Sequence, residues 1–180
     1  MILSGLAVFG APAHAAPTFD SALVNDEFVI GGMSQAVAAD WLPDGRMVVL
    51  TKPGSVYLVN PATETKALLY TIPDVDSRRE SGALDIVVDL SFATNHRLYA
   101  YYSATSDLRL RIAKLEVDSL FTTVSSNATI WSNPGPLRTV YADPTNHIGG
   151  SLDIGPDGKF YLTIGDALAS LSQAPNEQSR

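Results

Sequence analysis

The sequence contains no cysteine and carries little positive charge. Without cysteine the chain has no disulfide, no thiolate metal site, no iron–sulfur cluster and no cysteine nucleophile. Lysine and arginine together number 12 against 19 aspartates and glutamates, which gives a formal net charge of −7. Proteins that bind nucleic acid or anionic lipid surfaces usually present a basic patch. We therefore expect neither a nucleic-acid partner nor a membrane-surface partner.

Long hydrophobic runs are also missing, and a short apolar stretch stands at the start of the sequence. The uncharged run from Ile2 to Ala11 is too short to span a bilayer. It is followed by Ala13-His14-Ala15, the small-x-small pattern that signal peptidase requires. These features predict a signal peptide over residues 1–16, a mature chain over residues 17–180, no membrane span, and a secreted or periplasmic location. An apolar N-terminal strand is the alternative interpretation.

Helical periodicity is the third absence. No window after residue 17 keeps a 3.6-residue apolar period for three turns, and short β-rich runs separated by turn residues appear instead. Residues 89–95 are expected to form a loop, and the change of apolar phase after Ile112 predicts a bulge near Ala113-Lys114. The predicted strands are 46–51, 55–59, 66–72, 83–88, 97–103, 108–112, 151–154 and 159–164.

A Pro-Asp-Gly turn with matched flanks occurs twice. Residues 41–50 and 154–163 share the pattern apolar-x-Pro-Asp-Gly-basic-apolar-x-apolar. The segment 92–102 has the same role between them, with Thr94-Asn95-His96 in place of Pro-Asp-Gly. The spacings of roughly fifty to sixty residues match repeated four-stranded units. This recurrence favours propeller blades.

Three stretches of the sequence resemble the quinoprotein glucose/sorbosone dehydrogenase family, which includes the soluble aldose sugar dehydrogenases. The last of them is the most specific, because it joins Asn-His-x-Gly-Gly-Ser to a Pro-Asp-Gly turn and a closing Gly-Asp. The three stretches are Leu42 to Val49 with Lys52-Pro53-Gly54, Glu80 to Ile86 running into Asp89 to Tyr99, and Asn146 to Leu152 continuing to Gly165-Asp166.

The resemblance implies an all-β fold, a partial six-bladed β-propeller with about three blades of four-stranded antiparallel sheets. It also implies the cofactor pyrroloquinoline quinone (PQQ) with calcium, a sugar substrate, an external electron acceptor, and oxidation of the anomeric hydroxyl of an aldose to a lactone. A propeller closes with four to eight blades. We therefore expect these residues to be the N-terminal part of such a domain, inactive alone, with most cofactor and calcium ligands beyond residue 180.

The same resemblance implies roles for five residues. His147 would be the general base and Asp166 the carboxylate that orients it, because an imidazole accepts protons near neutral pH and a carboxylate fixes its tautomer. Glu80 would lie beside the cofactor. Gly149 and Gly150 would leave room where a flat ring system approaches. No metal ligand is assigned, since no run of carboxylates matches a calcium loop.

Each assignment has a structural alternative. His147 is otherwise a solvated loop histidine, Asp166 a turn residue, and Glu80 a member of a surface ion pair with Arg78 or Arg79. For the whole chain, one alternative is a non-enzymatic propeller for binding, as in hedgehog-interacting-type proteins. The other is a calcium-dependent lactonase-like hydrolase, whose axial cluster of carboxylates the sequence does not show.

Overall fold

The computed structural model describes residues 29–135 and 145–165, and within them the chain is built almost entirely of antiparallel sheets. Strands β1 to β4 form one four-stranded sheet in sequence order, and β5 to β8 form a second. Strands β9 and β10 pair as a third sheet. We call these sheets blades 1, 2 and 3. The elements are β1 Ala36–Trp41, β2 Met47–Thr51, β3 Ser55–Asn60, a 3₁₀ turn Pro61–Thr63, β4 Thr65–Thr71, β5 Ala83–Val88, the short helix α1 Phe92–Asn95, β6 Arg97–Ser103, β7 Leu110–Val117, β8 Val124–Ser132, β9 Leu152–Ile154 and β10 Phe160–Leu162.

Each strand predicted from sequence coincides with an observed strand, but β1 and β8, which are both edge strands, were missed. Strand β8 is nine residues long and largely exposed along its length, because it lies at the edge of blade 2. An edge strand with both faces near water lacks the alternation of apolar and polar residues by which strands are predicted from sequence. The predicted loop 89–95 contains the single turn of α1, which buries Phe92.

A register shift lies beside the predicted bulge at Ala113-Lys114, but its extra residue is in β8 rather than in β7. The β6–β7 register runs without a break, whereas the β7–β8 register shifts between Ile112 and Ala113. The extra residue is Ile130, in β8. The change of apolar phase in β7 has another cause, since its two halves bury opposite faces: Ile112 packs toward blade 3 and Leu115 toward blade 1.

The repeated Pro-Asp-Gly motif forms the same turn in blades 1 and 3. The N–H of Leu42 donates to the carbonyl of Arg46 at 2.8 Å, and the N–H of Gly155 donates to that of Lys159 at 2.9 Å. The turn glycines have φ of +87° at Gly45 and +75° at Gly158, a conformation that favours glycine. Each turn therefore joins the first strand of its blade to the second, as the repeat predicts.

Two apolar clusters hold the blades together. The larger cluster lies between blades 1 and 2, and the second lies between blade 2 and blade 3. Strand β6 contributes to both, because Leu98 and Tyr102 face blade 1 while Tyr99 and Tyr101 face blade 3. Blade 2 is thus buried on both faces, and its first strand β5 lies between β1 and β9.

Candidate functional site

Glu80 and His147, which are far apart in sequence, lie side by side where β5 and β9 begin. The Glu80 carboxylate accepts a 2.6 Å hydrogen bond from the backbone N–H of His147. The N–H of Glu80 in turn donates to the carbonyl of Thr145 at 3.1 Å. Both Glu80 and His147 are exposed to solvent. The structure therefore brings together two residues that the sequence assigns to one site, and leaves both accessible.

The backbone beside both residues is left-handed. Arg79, which precedes Glu80, has φ of +47°, and His147 has φ of +51°. Such values are uncommon for residues with a Cβ, and strained backbone tends to cluster at functional sites. The ammonium of Lys52 donates to the carbonyl of Arg79, and the carbonyl of Lys52 accepts from the N–H of Ala83 at 2.9 Å. Blade 1 therefore supports the segment that carries Glu80.

A buried isoleucine anchors the His147 segment to blade 2. Ile148 is 0% exposed and packs in the cluster between blades 2 and 3, beside Leu152. Strand pairing continues past β9, since the N–H of Thr163 donates to Ser151 at 2.9 Å and the N–H of Gly165 donates to Gly149 at 2.7 Å. The side chain of His147 thus projects from a backbone that is fixed on both sides.

Three glycines surround His147 for different reasons. A Cβ at Gly150 would overlap the carbonyl of Thr163, and a Cβ at Gly165 would overlap the carbonyl of His147. These two positions need glycine for close strand pairing. At Gly149 a Cβ would meet no atom within 4 Å. Gly165 was not singled out from sequence, although its place directly before Asp166 in the Gly-Asp pair was the available signal.

The backbone at Gly149 is exposed and leaves room that a flat ligand could occupy. A Cβ built at Gly149, two residues after His147, would meet no atom within 4 Å, so the chain is open on that side. No group of three or more histidines, aspartates or glutamates that could hold a metal occurs within residues 29–135 and 145–165. Asp166 lies outside the described residues, directly after Gly165.

A cavity of about 500 Å³ lies at the other ends of the first strands. Its wall includes Asp40 and Trp41 at the end of β1, and Asp89 after β5. Trp41 is 57% exposed there. The carboxylates serve the fold, since Asp40 accepts from the N–H of Val88 and Asp89 accepts from the hydroxyl of Tyr99, both at 2.7 Å. Burial, and then the Asp89 carboxylate, raise the pKa of Tyr99 to about 12.

No helix in the described part of the chain combines the length and hydrophobicity needed to cross a membrane. The one α-helix in the described residues, α1, has four residues.

Several curated proteins and solved structures are similar to the chain. It is 29% identical over 163 residues to aldose sugar dehydrogenase YliI of Escherichia coli, aligning 87% of this chain with 41% of that protein. It is 28% identical over 163 residues to the Hedgehog-interacting protein of Homo sapiens, aligning 79% of this chain with 22% of that protein. The chain therefore spans about two fifths or less of the length of these relatives.

The structure of the PQQ-bound form of aldose sugar dehydrogenase from Streptomyces coelicolor has the same fold. It matches with a TM-score of 0.68 at 24% identity, covering 78% of this chain and 41% of that chain. The prediction of an all-β, partial β-propeller is thus confirmed. The sequence profile of the Glucose / Sorbosone dehydrogenase family matches residues 33–180, which include all the stretches that carry the resemblance. The chain belongs to the glucose/sorbosone dehydrogenase family.

Proposed function

We propose that this chain forms part of a PQQ-dependent sugar dehydrogenase that oxidises the anomeric hydroxyl of an aldose to a lactone. The observation that carries the proposal is the 2.6 Å bond between the Glu80 carboxylate and the N–H of His147. It joins two of the family-like stretches at one exposed place, in a chain that belongs to the family. Membership alone does not assign a function, because one fold supports many.

His147 acts as the general base in this proposal. Its exposed imidazole takes the proton of the anomeric hydroxyl while the carbonyl of the lactone forms. Asp166 holds the imidazole in the tautomer whose free nitrogen faces the sugar. Glu80 fixes the backbone from which the imidazole projects. The fixed backbone limits the geometries that the base samples and favours the reactive one.

We call the exposed backbone at Gly149, where a Cβ would meet no atom, the Gly149 ledge. This ledge, together with Gly150 and Glu80, would hold the cofactor. A PQQ held there would supply the oxidising power, as the acceptor of the hydride from the anomeric carbon. The side chains around the ledge then have only to orient the sugar and move its proton. Calcium is proposed with the cofactor, with most of its ligands beyond residue 180, and an external acceptor takes up the electrons. A secreted or periplasmic location completes the proposal.

The test uses the complete gene product, because the chain spans about two fifths of its relative aldose sugar dehydrogenase YliI. The protein is loaded with PQQ and calcium and supplied with aldoses and a dye acceptor. We expect His147→Ala to lower kcat by about a hundredfold or more, the usual contribution of a positioned base. Asp166→Asn should lower kcat and shift the pH profile.

The matched control is His96→Asn. His96 also has a left-handed backbone, with φ of +52°, but its ring packs against Phe121 with centroids 5.0 Å apart in blade 2. Asparagine tolerates that backbone, so His96→Asn should keep its turnover. Turnover of His147→Ala equal to that of His96→Asn would remove His147 from its proposed role.

A non-enzymatic binding propeller is the second candidate. It is favoured by the 28% identity to the Hedgehog-interacting protein, close to the value for the dehydrogenase. Titration of the complete gene product with PQQ, followed by fluorescence, separates the two. Saturable binding with stoichiometry near one supports the dehydrogenase, and no binding by the folded protein supports the binding module.

A further inference from the structure

Asp85 sends its carboxylate from blade 2 to blade 3. One oxygen, Oδ2, accepts from the hydroxyl of Ser151 at 2.9 Å and from the N–H of Leu152 at 2.7 Å. The other oxygen accepts from the N–H of the adjacent Ile86 at 2.8 Å. Bonds to an ionised acceptor are stronger than neutral ones. A single side chain of β5 therefore fixes the point where β9 begins.

A register shift accompanies this contact. The β5–β6 pairing shifts between Ala83 and Asp85, so Leu84 is the extra residue of a bulge. Bulges re-aim the side chains that follow them and occur often beside active sites. Asp85 comes immediately after the bulge, and its Oδ2 accepts hydrogen bonds from blade 3.

Glu80 and Asp85 together hold both ends of one short segment. Glu80 accepts from the N–H of His147, and Asp85 accepts from Ser151 and Leu152. Between these two ends the buried Ile148 anchors the segment and Gly149 faces open space. The segment 147–152 is thus hydrogen-bonded at each end to a carboxylate from the same edge of blade 2.

We propose that Asp85 is a positioning residue, which holds the segment 147–152 so that His147 and the Gly149 ledge keep their places relative to Glu80. The proposal rests on the proposed function, because it concerns the geometry of that same site. A displacement of about 1 Å in a positioned group lowers the rate of a reaction by about a hundredfold. Loss of one anchor of the segment should therefore act on binding and turnover as well as on folding.

Asp40 offers a matched control. Its carboxylate also crosses between blades, accepting from the N–H of Val88 at 2.7 Å, the same length as the bond from Leu152 to Asp85. That contact lies at the other ends of the first strands and involves no residue of the segment 147–152. A role limited to holding blades together would give Asp40 and Asp85 variants the same behaviour.

The experiment compares Asp85→Ala, Asp85→Asn and Asp40→Ala in the complete gene product. Hydrogen exchange of the amides from Ile148 to Leu152 is measured without cofactor, and the Kd for PQQ and the kcat are measured with it. We expect Asp85→Ala to raise exchange at Leu152 and to change Kd or kcat by tenfold or more. Asp85→Asn, which keeps one acceptor oxygen, should fall between. Asp40→Ala should stay within about twofold of the wild type in all three.

Equal effects of Asp85→Ala and Asp40→Ala on exchange at Leu152, Kd and kcat would overturn the proposal. If Asp85→Ala does not fold, Ser151→Ala decides the question, since it removes one of the two bonds and keeps the carboxylate. Unchanged exchange and Kd in Ser151→Ala would then count against the positioning role. The hydrogen exchange is independent of catalysis, so the proposal fails on unchanged exchange even where the wild type proves not to be a dehydrogenase.

Discussion

The carboxylate of Glu80 and the backbone N–H of His147 are 2.6 Å apart, oxygen to nitrogen. This bond connects the segment before β5 to the segment before β9, and so links blade 2 to blade 3 at the candidate site. It holds the main chain of His147, and the residue remains exposed to solvent. Glu80 therefore positions His147 through the backbone, which a carboxylate placed only to bind a ligand would not do.

Glu80 variants test this relationship. Glu80→Gln keeps an oxygen that accepts from the N–H of His147, whereas Glu80→Ala removes the acceptor. We expect Glu80→Ala to increase hydrogen exchange at His147 and to lower kcat by about tenfold or more, since geometry at the base is lost. Glu80→Gln should retain most of the exchange protection. Equal exchange in the two variants would mean that the bond does not hold the segment.

Gly165 and Gly149 should respond differently to substitution by alanine. Gly165→Ala places a Cβ against the carbonyl of His147, so we expect a loss of unfolding free energy of about 1–3 kcal/mol, as for other overpacked sites. Gly149→Ala meets no neighbouring atom and should keep its stability. Its methyl group would instead occupy the ledge and weaken PQQ binding. Urea unfolding and PQQ titration of both variants check these expectations; a stable Gly165→Ala protein would show that the strands separate without cost.

Ile148 is expected to be a stability residue that also affects the site. It is 0% exposed between blades 2 and 3, and a buried isoleucine truncated to alanine usually costs about 2–5 kcal/mol. Ile148→Val should cost about 0.5–1.5 kcal/mol. Ile130→Ala serves as the control, because Ile130 is 44% exposed and should change stability by less than about 0.5 kcal/mol. Thermal and urea unfolding measure all three; similar losses for Ile148→Ala and Ile130→Ala would contradict the packing.

Acid should weaken the contact that Asp74 makes with Ser106 and Arg111 of blade 2. Burial opposes ionisation of its carboxyl, but hydrogen bonds from Ser106 and Arg111 outweigh that effect and lower the pKa of Asp74. The guanidinium of Arg111 lies 2.9 Å from the Asp74 carboxylate. Because the folded pKa lies below the unfolded value of about 4, this stabilisation is present above pH 4 and is lost as the pH falls through the folded pKa.

Asp74→Asn provides the measurement. The variant should be less stable than the wild type at pH 6, and the difference should shrink as the pH falls below 4, when the wild-type carboxylate also becomes neutral. Urea unfolding at pH 6 and pH 3 gives both values. A difference between the two proteins that stays constant over this range would show that the charge of Asp74 has no part in it.

The inner strands of blades 1 and 2 could be predicted from sequence because each buried strand has a local signal, whereas the exposed edge strand β1 was not predicted. Strand β6 begins and ends where its β-rich run of apolar and aromatic residues begins and ends. The Pro-Asp-Gly turns were equally predictable, since Gly45 and Gly158 adopt the positive φ that only glycine takes easily. Strand β8 could not be found in this way, because exposed edge residues are chosen for solubility rather than for packing.

The candidate site was predictable only in part. His147, Glu80 and Gly149 were assigned through a resemblance, and their roles in catalysis and cofactor binding remain predictions. Asp85 and Gly165 were missed as parts of the site because their significance lies in contacts between blades. Gly165 is needed where the carbonyl of His147 comes close, and the Asp85 carboxylate matters only because β9 starts beside it.

The sequence by itself determined the buried strands, the Pro-Asp-Gly turns and the absence of thiol chemistry, since these depend on residue type and on neighbours along the chain. The tertiary structure decided which residues meet. Two hydrogen bonds join positions more than sixty residues apart: the one between Glu80 and His147, and the one between Asp85 and Leu152. Such contacts exist only after apolar burial on both faces of blade 2 has brought the first strands together. For that reason no local pattern in the chain records them.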